Sequence, residues 1–171
     1  MDSDDWLYDN NVLQRLHDNI TANNFPDVVR CPYVELRPDK KTGKPVEKIV
    51  RGETDINKIM LGGMAPWKNC HKSSFNIRFP ENCLIEDIPY GLTLFDNVDI
   101  NKISTVQIPC YVYNMTSNTS LWNAEKKSSE LFEKSRQSMI RMLEEFRYSH
   151  DYCKIALKIQ LDNLYNLPHK Q

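Results

Sequence analysis

Residues 28–50 read VVRCPYVELRPDKKTGKPVEKIV. Two apolar, β-branched runs, Val28–Leu36 and Val46–Val50, flank Arg37-Pro38-Asp39-Lys40-Lys41-Thr42-Gly43-Lys44-Pro45. Pro presets a turn dihedral, Asp bonds the nearby backbone, and Gly takes positive φ without strain. The stretch therefore predicts a hairpin with a long loop. It puts a β-sheet early in the chain and excludes an all-helical fold.

Strand signals continue toward the C-terminus. Prolines recur at Pro66, Pro80, Pro89 and Pro109, which argues against long helices there. Phe75-Asn76-Ile77-Arg78-Phe79 alternates with period two, the pattern of a half-buried strand. Tyr90–Phe95 and Val106–Tyr113 read as further strands, with Pro109 suiting an edge or a bulge. Leu61–Pro66 reads as a loop. Residues 27–116 thus predict about five strands in one mostly antiparallel sheet, because no helix-length crossover separates them.

Helices flank this core. Residues 3–20 predict an N-terminal helix, with Ser3 as cap, Asp4 and Asp5 at the positive dipole end, and Leu13, Leu16 and Ile20 at helical spacing. Leu121 to Leu167 contains no Pro or Gly. Phe132, Met139, Leu143, Phe146, Cys153, Leu157, Leu161 and Leu164 form a stripe near heptad spacing. One straight helix over that span would run about 68 Å at 1.5 Å per residue. A globule of this length has a radius of gyration of about 15 Å. The segment must therefore project, find a partner, or break, and Tyr148-Ser149-His150-Asp151 is its weakest stretch. The fold class is α+β, in a single domain spanning 1–171.

Composition sets further bounds. The chain has 171 residues, 40% hydrophobic and 26% charged, ordinary globular usage. The sequence excludes a collagen, a wholly disordered chain and a disulfide mini-scaffold. No apolar run approaches the roughly 20 residues of a membrane helix. The acidic start Met1–Trp6 lacks a signal-peptide apolar region. With five scattered cysteines, this predicts a reducing cytoplasm or nucleus and free thiols. The sequons at Asn19, Asn114 and Asn118 then carry no meaning.

Net charge is −1 and pI about 6.4, unlike a globally basic nucleic-acid binder. Charge is nonetheless segregated. Between Arg30 and Arg51 lie seven basic residues against Glu35, Asp39 and Glu47. Such a loop can neutralise phosphates, or simply keep a hairpin solvated. Downstream, Trp67, Phe75 and Phe79 interleave with Lys68, Lys72 and Arg78, a composition suited to stacking bases. The same alternation would equally send the aromatics into the core.

Other chemistry is weaker. Cys31, Cys70, His71, Cys83 and Cys110 lack the close Cys pairs of structural zinc. Asp96–Asn101 lacks the Gly and closing Glu of a calcium loop. His17, His71, His150 and His169 offer no distinctive Cys–His spacing. No catalytic residue, metal or cofactor is assigned. The sequence favours a non-enzymatic interaction protein, a homodimer or a subunit of a larger assembly. Its partner-binding residues would be Phe132, Met139, Leu143, Phe146, Leu157, Leu161 and Leu164. The alternative is nucleic-acid binding through Arg37, Lys40, Lys41, Lys44, Trp67, Lys68, Lys72 and Arg78. No membrane association is expected.

Overall fold

A computed structural model describes residues 5–62, 64–80, 86–116 and 129–166. The fold is mixed α+β, with five helices and two sheets among the described residues. The elements are β1 (Trp6–Leu7), α1 (Val12–Ala22), β2 (Val28–Arg30), β3 (Tyr33–Pro38), β4 (Pro45–Val50) and α2 (Ile56–Gly62). Then follow β5 (Asn69–His71), α3 (Asp87–Asp96), β6 (Ile103–Thr105), β7 (Tyr111–Asn114), α4 (Ser129–Glu145) and α5 (Asp151–Tyr165).

The single five-stranded sheet is corrected to two sheets. One has order β1-β7-β3-β4 and the other β5-β2-β6. The division falls at Cys31-Pro32, between β2 and β3. Cys31 N–H donates to Lys68 C=O at 2.8 Å, while Pro32 C=O accepts Cys110 N–H at 2.8 Å. The chain thus leaves one sheet and enters the other within two residues. Two pairings, β2 with β6 and β3 with β7, are parallel. The antiparallel expectation compared neighbours in sequence, whereas these partners lie far apart, with α2 and α3 between them.

The expected strand Tyr90–Phe95 is instead the core of α3. Tyr90, Gly91, Leu92, Leu94 and Phe95 are all buried, so the helix is apolar around most of its circumference and shows no amphipathic period. Pro89 sits in its first turn, where a missing N–H breaks no helical bond. A Cβ on Gly91 would lie 2.4 Å from Met64 Cβ, so α3 packs against the chain after α2 at glycine distance.

The N-terminal helix begins at Val12, not residue 3. Asp5 is buried, accepts Tyr111 O–H at 2.7 Å and Asn114 N–H at 2.8 Å, and so ties the start of the described chain along β7. Trp6 and Leu7 pair there as a short strand. Ser3 and Asp4 lie outside the described residues. The expected strand Phe75–Phe79 does not form: Ser73–Phe75 is a 3-10 turn and Asn76 has φ 47°. The Leu61–Pro66 loop starts only after α2 ends at Gly62.

The C-terminal segment is broken, between Glu145 and Asp151. Asp96, at the end of α3, accepts Ser149 N–H at 2.9 Å and His150 N–H at 2.8 Å. It caps α5 from a different element. Arg136 on α4 donates to Leu164 C=O at 2.8 Å and pairs with Glu133, which fastens α4 to the far end of α5. The main core joins Ile59, Leu92, Leu94, Phe95, Met139, Leu143 and Cys153. A smaller core joins Val12, Val29, Cys31, Val106 and Cys110 under α1.

Candidate functional site

The helical stripe lies largely inside the chain's own fold. Met139 and Leu143 are 1% and 0% exposed and Leu164 is 6% exposed. Phe146, Leu157 and Leu161 are half-buried and pack against the same cluster. Phe132 lies in α4, and its side chain falls outside the described residues. Breaking the segment in two lets α5 fold back against α2, α3 and α4, which covers part of the stripe within the chain.

The β3–β4 hairpin is built differently. Asp39 Oδ1 accepts Lys41 N–H at 3.0 Å, Thr42 N–H at 2.7 Å and Thr42 O–H at 2.8 Å. Gly43 supplies the positive φ of 69° that closes the turn. The Thr42 hydroxyl and the loop N–H groups hold the Asp39 carboxyl below its usual range. Lys40, Lys41 and Lys44 are exposed around it, and none is in an ion pair among the described residues.

β4 is exposed along its whole length except for the half-buried Val50. It occupies the end of the sheet order, so one edge has no neighbour among the described residues. Asp39 N–H donates to Lys44 C=O at 2.8 Å, and the register continues through Arg37↔Val46, Glu35↔Lys48 and Tyr33↔Val50. Antiparallel ladders alternate. The Val46, Lys48 and Val50 backbone therefore bonds β3, and the Glu47 and Ile49 backbone points to the open side. Val46 and Ile49 are 49% and 61% exposed, on opposite faces.

Several basic residues expected at a nucleic-acid site are engaged within the fold. Arg37 pairs with Glu35 at 2.7 Å, and Glu35 also accepts Tyr33 O–H at 3.0 Å. Lys72 pairs with Asp27 at 2.6 Å. Arg30, which adds to the basic count, is buried: it donates to Glu53 C=O at 3.1 Å and lies 5.7 Å from the centre of the Phe95 ring. Burial pulls its pKa down to about 10. Arg78 is exposed on the chain after the 3-10 turn.

Trp67 and Lys68 join a cluster that the sequence reading missed. Trp67 stacks on Tyr111 and Tyr113 at 5.2 and 5.0 Å and meets Tyr33 edge-on at 4.5 Å. Lys68 Nζ lies 5.0 and 5.1 Å from the Tyr33 and Trp67 ring centres. Burial, then the Arg30 charge, lowers the Lys68 pKa. Spacing i, i+2 in Tyr111-Val112-Tyr113 is the signal that puts both tyrosines on one sheet face. Trp67 joins them from a separate turn, which no local pattern reveals.

The polar groups named for catalysis or metal binding are dispersed. His71 Nδ1 donates to Lys72 C=O at 2.9 Å, so its Nε2 accepts Tyr90 O–H at 2.7 Å. Cys31 and Cys110 are free thiols that donate to the Val29 and Ile108 carbonyls at 3.7 and 3.8 Å. The neighbouring Cys110 thiol, then burial, raises the Cys31 pKa, and the Cys31 thiol together with the Arg15 charge lowers that of Cys110. Cys83 lies outside the described residues. Among the described residues no three His, Cys, Asp or Glu side chains converge to hold a metal. No helix among them is long and apolar enough to cross a membrane. An open concavity of about 440 Å³ lies between Asn97–Ile100 and the side chains of His150 and Tyr152.

The chain matches no protein-family model and no curated protein sequence.

Proposed function

We propose that this chain is a protein-interaction domain that receives a partner polypeptide along the open edge of β4. The observation that carries the reading is the state of β4 itself. A strand with one free edge and two exposed faces presents main-chain donors and acceptors, with Val46 on one face and Ile49 on the other. Strand addition draws affinity from such main-chain bonds and specificity from alternating side chains. The role is binding rather than catalysis, and it moves the expected docking surface from the stripe on α4 and α5 to the hairpin. Phe146, Leu157 and Leu161 are what that stripe still offers, half-buried at its margin.

The test is co-purification from the native cell extract with wild type and Ile49→Pro. The Ile49 N–H points away from β3, so proline there removes an outward donor and spares the ladder. Chains bound stoichiometrically to wild type are expected to be lost from Ile49→Pro, with the circular dichroism spectrum retained. Ile49→Lys serves if the proline variant fails to fold. Equal recovery by both variants sinks the reading.

A second reading is favoured by one feature, the three exposed lysines of the hairpin loop, in which the carboxylate of Asp39 is occupied by loop hydrogen bonds. It predicts oligonucleotide binding that weakens steeply with salt and is lost in Lys40/Lys41/Lys44→Glu. Absence of binding at low salt removes it.

A further inference from the structure

The charge pattern of β4 and the residue after it is self-complementary in one register. Its fold leaves the Glu47 and Ile49 backbone pointing outward, Glu47 and Ile49 are exposed on one face, and Arg51, also exposed, follows directly after Val50 at the end of the strand. Neither Glu47 nor Arg51 is in an ion pair among the described residues. We propose that a second copy of this chain occupies the edge. The two β4 strands pair antiparallel about a two-fold axis, with Ile49 opposite the partner's Ile49. This rests on the reading of β4 as the docking edge.

The register follows from symmetry and charge. A two-fold axis perpendicular to a continuous sheet keeps each residue on its own face, so one residue of β4 must face its own copy. Centring on Val46 sets Lys44 against the partner's Lys48. Centring on Glu47 opposes two carboxylates, centring on Lys48 opposes two ammonium groups, centring on Val50 sets Glu47 against the partner's Glu53, and centring on Pro45 runs the pairing into the turn. Like charges directly opposite destabilise a pair. Centring on Ile49 opposes two exposed apolar side chains and sets Glu47 against the partner's Arg51 on both sides of the axis. It also leaves Pro45, which lacks an N–H, beyond the paired stretch. The exposed loop lysines Lys40, Lys41 and Lys44 then sit outside the seam, where they limit further edge-to-edge growth. Two six-residue strands cover less surface than a standard interface, so the dimer is weak and concentration-dependent.

Sedimentation equilibrium on the purified full chain tests this. Wild type is expected to dimerise as concentration rises, and Arg51→Glu to weaken the dimer about tenfold, since two attractive cross-strand pairs become repulsive. Glu47→Arg combined with Arg51→Glu is expected to restore it. Across the axis, hydrogen-bonded Cα atoms sit about 5.5 Å apart, within disulfide reach. Ile49→Cys is therefore expected to cross-link under oxidation and Lys48→Cys is not. A wild type monomeric at the highest soluble concentration, a double variant that fails to restore pairing, or cross-linking by Lys48→Cys instead overturns the proposal. If the purified chain stays monomeric while Ile49→Pro still loses a different protein from extract, self-pairing fails and the edge reading stands. If Ile49→Pro loses nothing, both fail.

Discussion

Replacing Leu143 with Ala distinguishes a core from an interface. Leu143 is 0% exposed and packs with Met139, Phe95 and Cys153 in the main cluster. Truncating a buried Leu removes its transfer free energy and leaves a cavity, at a cost of about 3–5 kcal/mol. Domains of this size lose roughly 2–4 °C of Tm per kcal/mol, so the midpoint is expected to fall by about 6–20 °C. The assay is urea and thermal unfolding followed by circular dichroism, at low and high protein concentration. If α4 and α5 bury the residue internally, the loss is the same at both concentrations. A stripe buried between two chains gives a mutational loss that changes with concentration, whereas pairing through β4 raises Tm in wild type and variant alike. A loss below about 1 kcal/mol, or a concentration-dependent one, refutes the internal packing of the stripe.

Three further outcomes follow from named contacts. Burial works against ionising Asp96, but the His150 and Ser149 N–H groups and the His150 ring hold its carboxyl below the usual range. Asp96→Ala is expected to cost about 1–2 kcal/mol and to raise hydrogen exchange in the first turn of α5. The Asp96 contribution is complete above the unfolded carboxylate value and fades as pH falls through the lower folded one. The gap between wild type and Asp96→Asn should therefore narrow in acid, and a pH-independent gap refutes the capping role. Burial likewise opposes Asp27, while the Lys72 hydrogen bond, the Asp99 N–H and the Lys72 and Lys102 charges lower its pKa. Asp27→Asn should flatten the acid limb of the unfolding curve, and an unchanged limb counts against that pair. Gly91→Ala is expected to destabilise by about 1–3 kcal/mol, because its Cβ would also meet Met64 C=O at 2.9 Å. A neutral or stabilising result, seen as an unchanged urea midpoint, would mean Met64 yields freely.

The parts of the fold legible in the sequence are those governed by local chemistry. The Asp39–Gly43 turn announces itself by residue type, and the hairpin pairs Tyr33 through Val50 around it. The break near Ser149 is legible because globule size limits a helix, although no Pro or Gly marks it. What marks it in three dimensions is Asp96, on another element. α3 is illegible because a helix buried nearly all round has no polar face to set a period, and Tyr-Gly-Leu-Thr-Leu-Phe then mimics a strand. Missing that helix removed a helical crossover and made both parallel pairings look forbidden. At the candidate site the charge count was visible, but its consumption was not. Arg37 and Lys72 pair with Glu35 and Asp27, and buried Arg30 donates to the Glu53 main-chain carbonyl, so only part of the counted positive charge is left unpaired. Of the stripe on α4 and α5, Met139, Leu143 and Leu164 are buried. The sequence does not say what covers it, because that depends on α2 and α3.

The pairing of β3 with β7 also sets an order of events during synthesis. Tyr33 must wait for Tyr111, and Val28 for Ile103, before either sheet can close. The β3–β4 hairpin needs only its own turn and forms as soon as Val50 has left the ribosome. Until β7 emerges, that hairpin stands with two free edges instead of one. Closure over such sequence separations is slow, so the nascent chain passes through a stage in which this hairpin is exposed along both edges.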